Sequence, residues 1–162
     1  MIMKYNLIAI LSVVAMLLCT ACSNNQKMEE IKKQSEPVFA KGEKVSNNNF
    51  TGTVWLNYLV ETDTTHHVNI GSVTFEPGAR TNWHYHKGGQ ILLVTEGTGM
   101  YQEKGKPIEI IKKGEVVKCP PNIEHWHGAT PTDSMTHIAI GTNTNIGGAV
   151  WLQPVTDEEY KQ

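Results

Sequence analysis

From Phe50 onward the sequence predicts an all-β domain, a barrel or sandwich built from many short strands. Three observations carry that prediction. Runs rich in β-branched and aromatic residues recur, separated by glycine- and proline-containing turns. No long amphipathic helix interrupts them. Two His-x-His pairs, His84-Tyr85-His86 and His125-Trp126-His127, stand in separate segments. In an extended strand residues two apart share a face, so each pair can aim both imidazoles at one point. Imidazole is the commonest protein ligand for divalent transition metals, and three or four converging groups make a site. The pattern reads as a metal site inside a β-barrel.

Strands are expected over Thr51–Val60, Val68–Phe75, Gln90–Thr95, Gly99–Glu103, Ile108–Ile111, Glu115–Cys119 and Met135–Ile140. Turns at Glu76-Pro77-Gly78, Lys87-Gly88-Gly89, Glu96-Gly97, Lys104-Gly105-Lys106-Pro107 and Lys113-Gly114 separate them. The end of the chain departs from the pattern. Thr156-Asp157-Glu158-Glu159 fits a capping box, threonine as N-cap with glutamate three residues later, and predicts a short terminal helix. Trp151 and Leu152, just before it, are expected to pack on the barrel. Trp83, Tyr85 and Trp126 alternate with the inward histidines and should point outward, where burial in a subunit contact would explain them.

The N-terminal segment reads as a targeting sequence. Lys4 precedes an apolar run, Leu7 to Leu18, broken only by Ser12. The run is short for a membrane span and suits a signal-peptide core. It ends in Cys19-Thr20-Ala21-Cys22-Ser23, which resembles a bacterial lipobox with Cys22 as the lipidated residue; Cys19 stands where leucine is usual. The expected organisation is a lipoprotein signal over 1–22, a polar tether over 23–49 and a barrel domain over 50–162. Several acyl chains on one residue would anchor the protein at the bacterial cell envelope, facing the periplasm or the outside. Cys119 is then the thiol left over, so no internal disulfide forms, and its apolar run, Val116 to Cys119, suggests a buried structural role.

Composition narrows the partners. A formal net charge of −2 offers no basic face for nucleic acid. No period typical of solenoids or propellers repeats. A small-molecule substrate is the expected partner, besides the membrane reached through the lipid.

The histidine segments carry a resemblance. Gly78, five residues, His84-x-His86, three residues, Gln90, six residues and Gly97 resemble the first cupin motif, with glutamine where most cupins have glutamate. Gly114, five residues, Pro120 and then His125 resemble the second, with Asn122 for the usual glycine and Ala129 where asparagine is common. Further matches over Phe50–Tyr160, among them Val73-Thr74-Phe75-Glu76-Pro77-Gly78-Ala79-Arg80-Thr81 and Met135-Thr136-His137, are similar to the small manganese cupins that include bacterial (R)-selective hydroxynitrile lyases. The resemblance implies a double-stranded β-helix, a jelly-roll barrel, and a dimer or tetramer. It makes His84, His86, Gln90 and His125 the metal ligands, with manganese first among the candidates and iron, zinc, nickel or cobalt as others. Spacing alone does not separate His125 from His127. The resemblance chooses His125, which leaves His127 as a candidate general base and His137 as a pocket residue that shapes the site or takes the proton on.

Three neutral imidazoles and a neutral amide would leave a divalent ion its full charge, which favours anionic oxygen. That suits a lyase in which a cyanohydrin hydroxyl is deprotonated as a carbon–carbon bond breaks. An iron or manganese oxygenase and a non-catalytic metal- or ligand-binding barrel are the competing readings. Arg80 is expected in a structural salt bridge, and His66 and His67 in an exposed polar loop.

Overall fold

The structure, a computed structural model, describes residues 37–161. The expected signal peptide, the lipidated Cys22 and the tether up to residue 36 lie outside the described residues. Among the described residues twelve strands, one 3-10 turn and one short helix follow in order: β1 Glu43–Lys44, β2 Phe50–Thr51, β3 Val54–Val60, β4 Asn69–Phe75, β5 Arg80–Thr81, β6 His84–His86, β7 Gln90–Glu103, β8 Glu109–Lys112, β9 Val116–Cys119, β10 His125–Ala129, β11 Met135–Gly141, the turn Thr144–Ile146, β12 Ala149–Trp151 and α1 Asp157–Tyr160.

The strands pair antiparallel in a curled sheet that runs β1-β3-β4-β11-β7-β10-β5-β2. Strand β7 is the joint. Its first half, from Gln90, pairs with β11 and β9, and its second half, from Thr98, pairs with β10 and β8. One strand therefore serves two walls. The sequence suggests a turn at Glu96-Gly97, because glycine usually punctuates strands. Here the pairing instead continues through a bend, with Gly97 at a φ of 69° and a register shift against β11, so the two expected strands are one of 14 residues. The bend needs small residues: a Cβ on Gly99 would fall 2.0 Å from Met135 Sδ and 2.6 Å from the Gly128 carbonyl oxygen. Gly99→Ala should therefore destabilise by about 1–3 kcal/mol, as overpacking does. An unchanged midpoint in urea unfolding would contradict this.

Burial follows the alternation. Val54, Val73, Phe75, Leu92, Val94 and Met135 point between the two walls and form the main core. The barrel begins earlier than the resemblance implies. The compact unit starts at Val38, β1 pairs with β3, and Val45 packs against the core. The last part of the expected tether thus belongs to the domain, because an edge strand gains ladder bonds there.

The outward tryptophans have an internal explanation. Trp83 and Trp126 do face away from the histidines, yet they are 2% and 0% exposed. The C-terminal segment covers them with Val155, Tyr160 and, in part, Leu152. No subunit contact is needed to bury them. The helix that ends this segment is capped as expected: the Glu159 amide donates to Thr156 Oγ1 at 3.1 Å, and Glu159 Oε2 accepts from the Thr156 amide at 3.0 Å.

Candidate metal centre

Three strands bring the histidines together. His84 on β6 lies directly across from His125 on β10, so the two segments share one register. Gln90 opens β7 opposite Gly141 at the end of β11. His137, in the middle of β11, sits between Val73 and Val94. Of these residues, His84 and Gln90, with His86 and His127, line one end of a cavity of about 230 Å³ between the walls, and His125 and His137 are buried behind them. Leu56, Ile70, Val73, Ala139 and Trp151 are among the apolar residues that line the rest, with Tyr58, Asn69 and Thr81 as its polar members. Among the described residues, no acid, lysine or arginine lines it. A wider open depression of about 640 Å³ lies by Trp83, Lys104 and Lys106. Its buried polar members, Gln102 and Trp83, already have hydrogen-bond partners, so the chemistry is assigned to the smaller cavity.

Hydrogen bonds fix which nitrogens face inward. A carbonyl oxygen can only accept, so His84 Nδ1–H donates to the Asn82 carbonyl at 3.0 Å. His125 Nδ1–H donates in the same way to the Ile123 carbonyl at 2.9 Å. Each neutral ring then presents an unprotonated Nε2, the orientation that metal-bound histidines take. His125 Nε2 lies 3.3 Å from Gln90 Oε1. With the amide in this orientation two acceptors face each other, and a cation near both would relieve the contact. Turning the amide over would give a hydrogen bond instead.

The remaining histidines complete the cluster. Among the described residues, His86 Nε2, His127 Nε2 and His137 Nδ1 are buried with no hydrogen-bond partner. Such orphaned atoms are costly unless something meets them. One nitrogen from each of His84, His125 and His127 lies within 4.8 Å of the others. His86 is close behind, its ring 5.3 Å from His84 and 5.8 Å from His125. His137 Nε2 stands 3.2 Å from His127 Nδ1. All five histidines expected at the site are therefore present. The set expected from resemblance, His84, His86, Gln90 and His125, and the tightest triple, which includes His127, share His84 and His125. The donor set and its orphaned nitrogens fit a divalent transition metal.

Electrostatics keeps the rings neutral. Burial, reinforced by His125, holds His84 well below the usual imidazole range. Burial, reinforced by His137, does the same for His127. His86 and His137 are each lowered to about 4, chiefly by burial. Neutral imidazole is the form that binds metal and accepts protons.

Sequence reasoning singled out the histidines but missed their neighbours. Trp151 stacks on His84 with ring centres 4.7 Å apart, and Thr81 Oγ1 accepts from the His127 amide at 3.1 Å. Neither carries a motif signal, since only the sheet brings β12 and β5 beside the histidines. Arg80 takes the structural role expected, and His66 stays exposed with its Nδ1 2.8 Å from Asp63 Oδ2. Cys119 is buried, and burial pushes its thiol up to about 12.

Comparison with known proteins agrees with this architecture. Residues 71–141 match the cupin domain family. An (R)-mandelonitrile lyase from Granulicella tundricola is 47% identical over 113 residues, covering 70% of this chain and 86% of the relative. The chain belongs to the cupin superfamily. A cupin-like protein of known structure from Thermotoga maritima is 52% identical, covers 78% of this chain and 96% of its own, and superposes with a TM-score of 0.75. The structure of a DMSP lyase from Ruegeria pomeroyi, at 15% identity and a TM-score of 0.55 over 64% of this chain and 54% of its own, shares the fold alone. The double-stranded β-helix expected of a cupin is the fold observed, with a short helix at its C-terminal end.

Proposed function

We propose that this cupin is a metal-dependent lyase that cleaves a small neutral hydroxynitrile into a carbonyl compound and hydrogen cyanide. The observation that carries the reading is the convergence of His84, His125 and His127 beside a largely apolar cavity that no acid, lysine or arginine among the described residues lines. The 47% identity to an (R)-mandelonitrile lyase supports the reaction class. His84, His86, Gln90 and His125 would hold a divalent ion, manganese by preference. Such an ion supplies Lewis-acid polarisation of a hydroxyl or carbonyl oxygen.

The chain's own residues then have distinct tasks. His127 accepts the hydroxyl proton at Nε2, the buried atom that has no partner. That role requires its Nδ1 to carry a hydrogen, which His137 Nε2 receives across 3.2 Å. His137 thereby sets the tautomer of the base. As the carbon–carbon bond breaks, its electron pair leaves with cyanide. No lysine or arginine among the described residues lines the cavity, so the proton now on His127 is the charge that meets the departing anion and converts it to hydrogen cyanide. The apolar wall from Leu56 to Trp151 excludes water and receives the organic group.

Anchoring through a lipid on Cys22 at the cell envelope, and assembly as a dimer or tetramer, belong to the same proposal. The test is elemental analysis of protein purified without added metal, followed by aldehyde release from racemic mandelonitrile. Near-stoichiometric manganese with aldehyde formed from one enantiomer in preference would support it. Bound metal without cleavage of any hydroxynitrile would overturn the lyase and leave a metal-binding barrel.

A further inference from the structure

On one side the histidine cluster borders the cavity, through His84, His86 and His127. On the other side the two strands that carry His84, His86, His125 and His127, β6 and β10, are backed by the C-terminal segment, Leu152–Tyr160. Three separate sets of contacts make the connection. Trp83, the residue before His84, exchanges backbone bonds with this segment: its amide donates to the Gln153 carbonyl at 3.0 Å, and its carbonyl accepts from the Leu152 amide at 2.9 Å. Trp126, between His125 and His127, packs against Tyr160 at 5.8 Å. Tyr160 also donates its hydroxyl hydrogen to the Ala129 carbonyl at 2.8 Å, at the end of the same strand.

The third set runs through Arg80, which is 5% exposed. Its Nε and Nη2 donate to the Val155 carbonyl at 3.3 and 3.0 Å, and Nη2 also pairs with Asp157 Oδ1 at 2.7 Å. Its guanidinium lies 4.5 Å from the Tyr160 ring centre. On the barrel side Arg80 is pressed onto β10: a Cβ on Gly128 would fall 2.6 Å from Arg80 Cα. The next residue, Thr81, receives the His127 amide hydrogen. A displacement of the segment is therefore felt beside His84, His125 and His127 together.

We propose that the segment Leu152–Tyr160 is a latch that sets the geometry of the metal centre, with Arg80 and Tyr160 as its positioning residues. Groups that orient metal ligands from behind govern affinity as well as shape. The coupling is reciprocal: a latch that tightens metal binding must itself be tightened by the metal. The inference rests on the histidine cluster being a metal centre, and the experiment separates the two.

The full chain, Tyr160→Phe, Arg80→Met and a control, Ile111→Ala in the main core, are loaded with Mn²⁺ alone and chased with chelator. Both latch variants should release Mn²⁺ about 10- to 100-fold faster than the native chain. Their Co²⁺-substituted forms should show altered visible absorption bands, while Ile111→Ala keeps the native bands despite a lower unfolding temperature. Amide exchange in 153–161 should slow on Mn²⁺ binding. Native release rates and spectra in Tyr160→Phe, or identical exchange with and without Mn²⁺, would overturn the latch. If Arg80→Met does not fold, Tyr160→Phe decides. A native chain that takes up neither ion overturns the metal centre and the latch with it.

Discussion

His84→Ala and His125→Ala are each expected to leave a folded barrel that no longer retains metal. These two residues sit opposite each other on β6 and β10, and each has its Nδ1 committed to a backbone carbonyl. Alanine therefore removes an inward nitrogen without touching the core that Phe75, Leu92 and Met135 build. Affinity should fall by more than about a hundredfold, beyond what loss of a supporting contact costs. Far-ultraviolet circular dichroism should stay native, because backbone pairing carries the fold. Full metal occupancy in either variant would remove that histidine from the ligand set.

The second large effect concerns His127. His127→Ala should keep the metal and lose turnover by about 10²–10⁴-fold, the range for losing a general base. The geometry makes this a sharp test, because His127 also belongs to the tightest nitrogen triple. Loss of metal in this variant would make His127 a ligand and would leave the proton transfer to another group. Retained metal with unchanged turnover would remove it from the chemistry. Gln90→Glu adds a negative charge beside His125 and should weaken the preference for anionic oxygen while metal binding persists.

Much of this was legible in the residues themselves. Strand and turn composition from Phe50 to Ile140 implied an all-β domain, and the capping box at Thr156 implied the last helix. The His-x-His pairs implied converging imidazoles, since a period of two leaves no other arrangement on a strand. Other elements were hidden. The strands β1, β5 and β12 span only 2, 2 and 3 residues, too few for any periodicity to register. The turn expected at Glu96-Gly97 failed because Gly97, at a φ of 69° and pressed against the Ser134 carbonyl, bends β7 without ending its pairing.

Local sequence thus determined the secondary structure, the histidine inventory and the cupin pattern, because these depend on side-chain alternation and short-range turn chemistry. Only the tertiary structure decided which nitrogens face the cavity and that His127 sits within reach of His84 and His125. It also decided that Trp83 and Trp126 are buried by the chain's own C-terminus. Those outcomes depend on register between distant strands and on backbone carbonyls at Asn82 and Ile123. No periodicity reports them, because they exist only once the barrel closes.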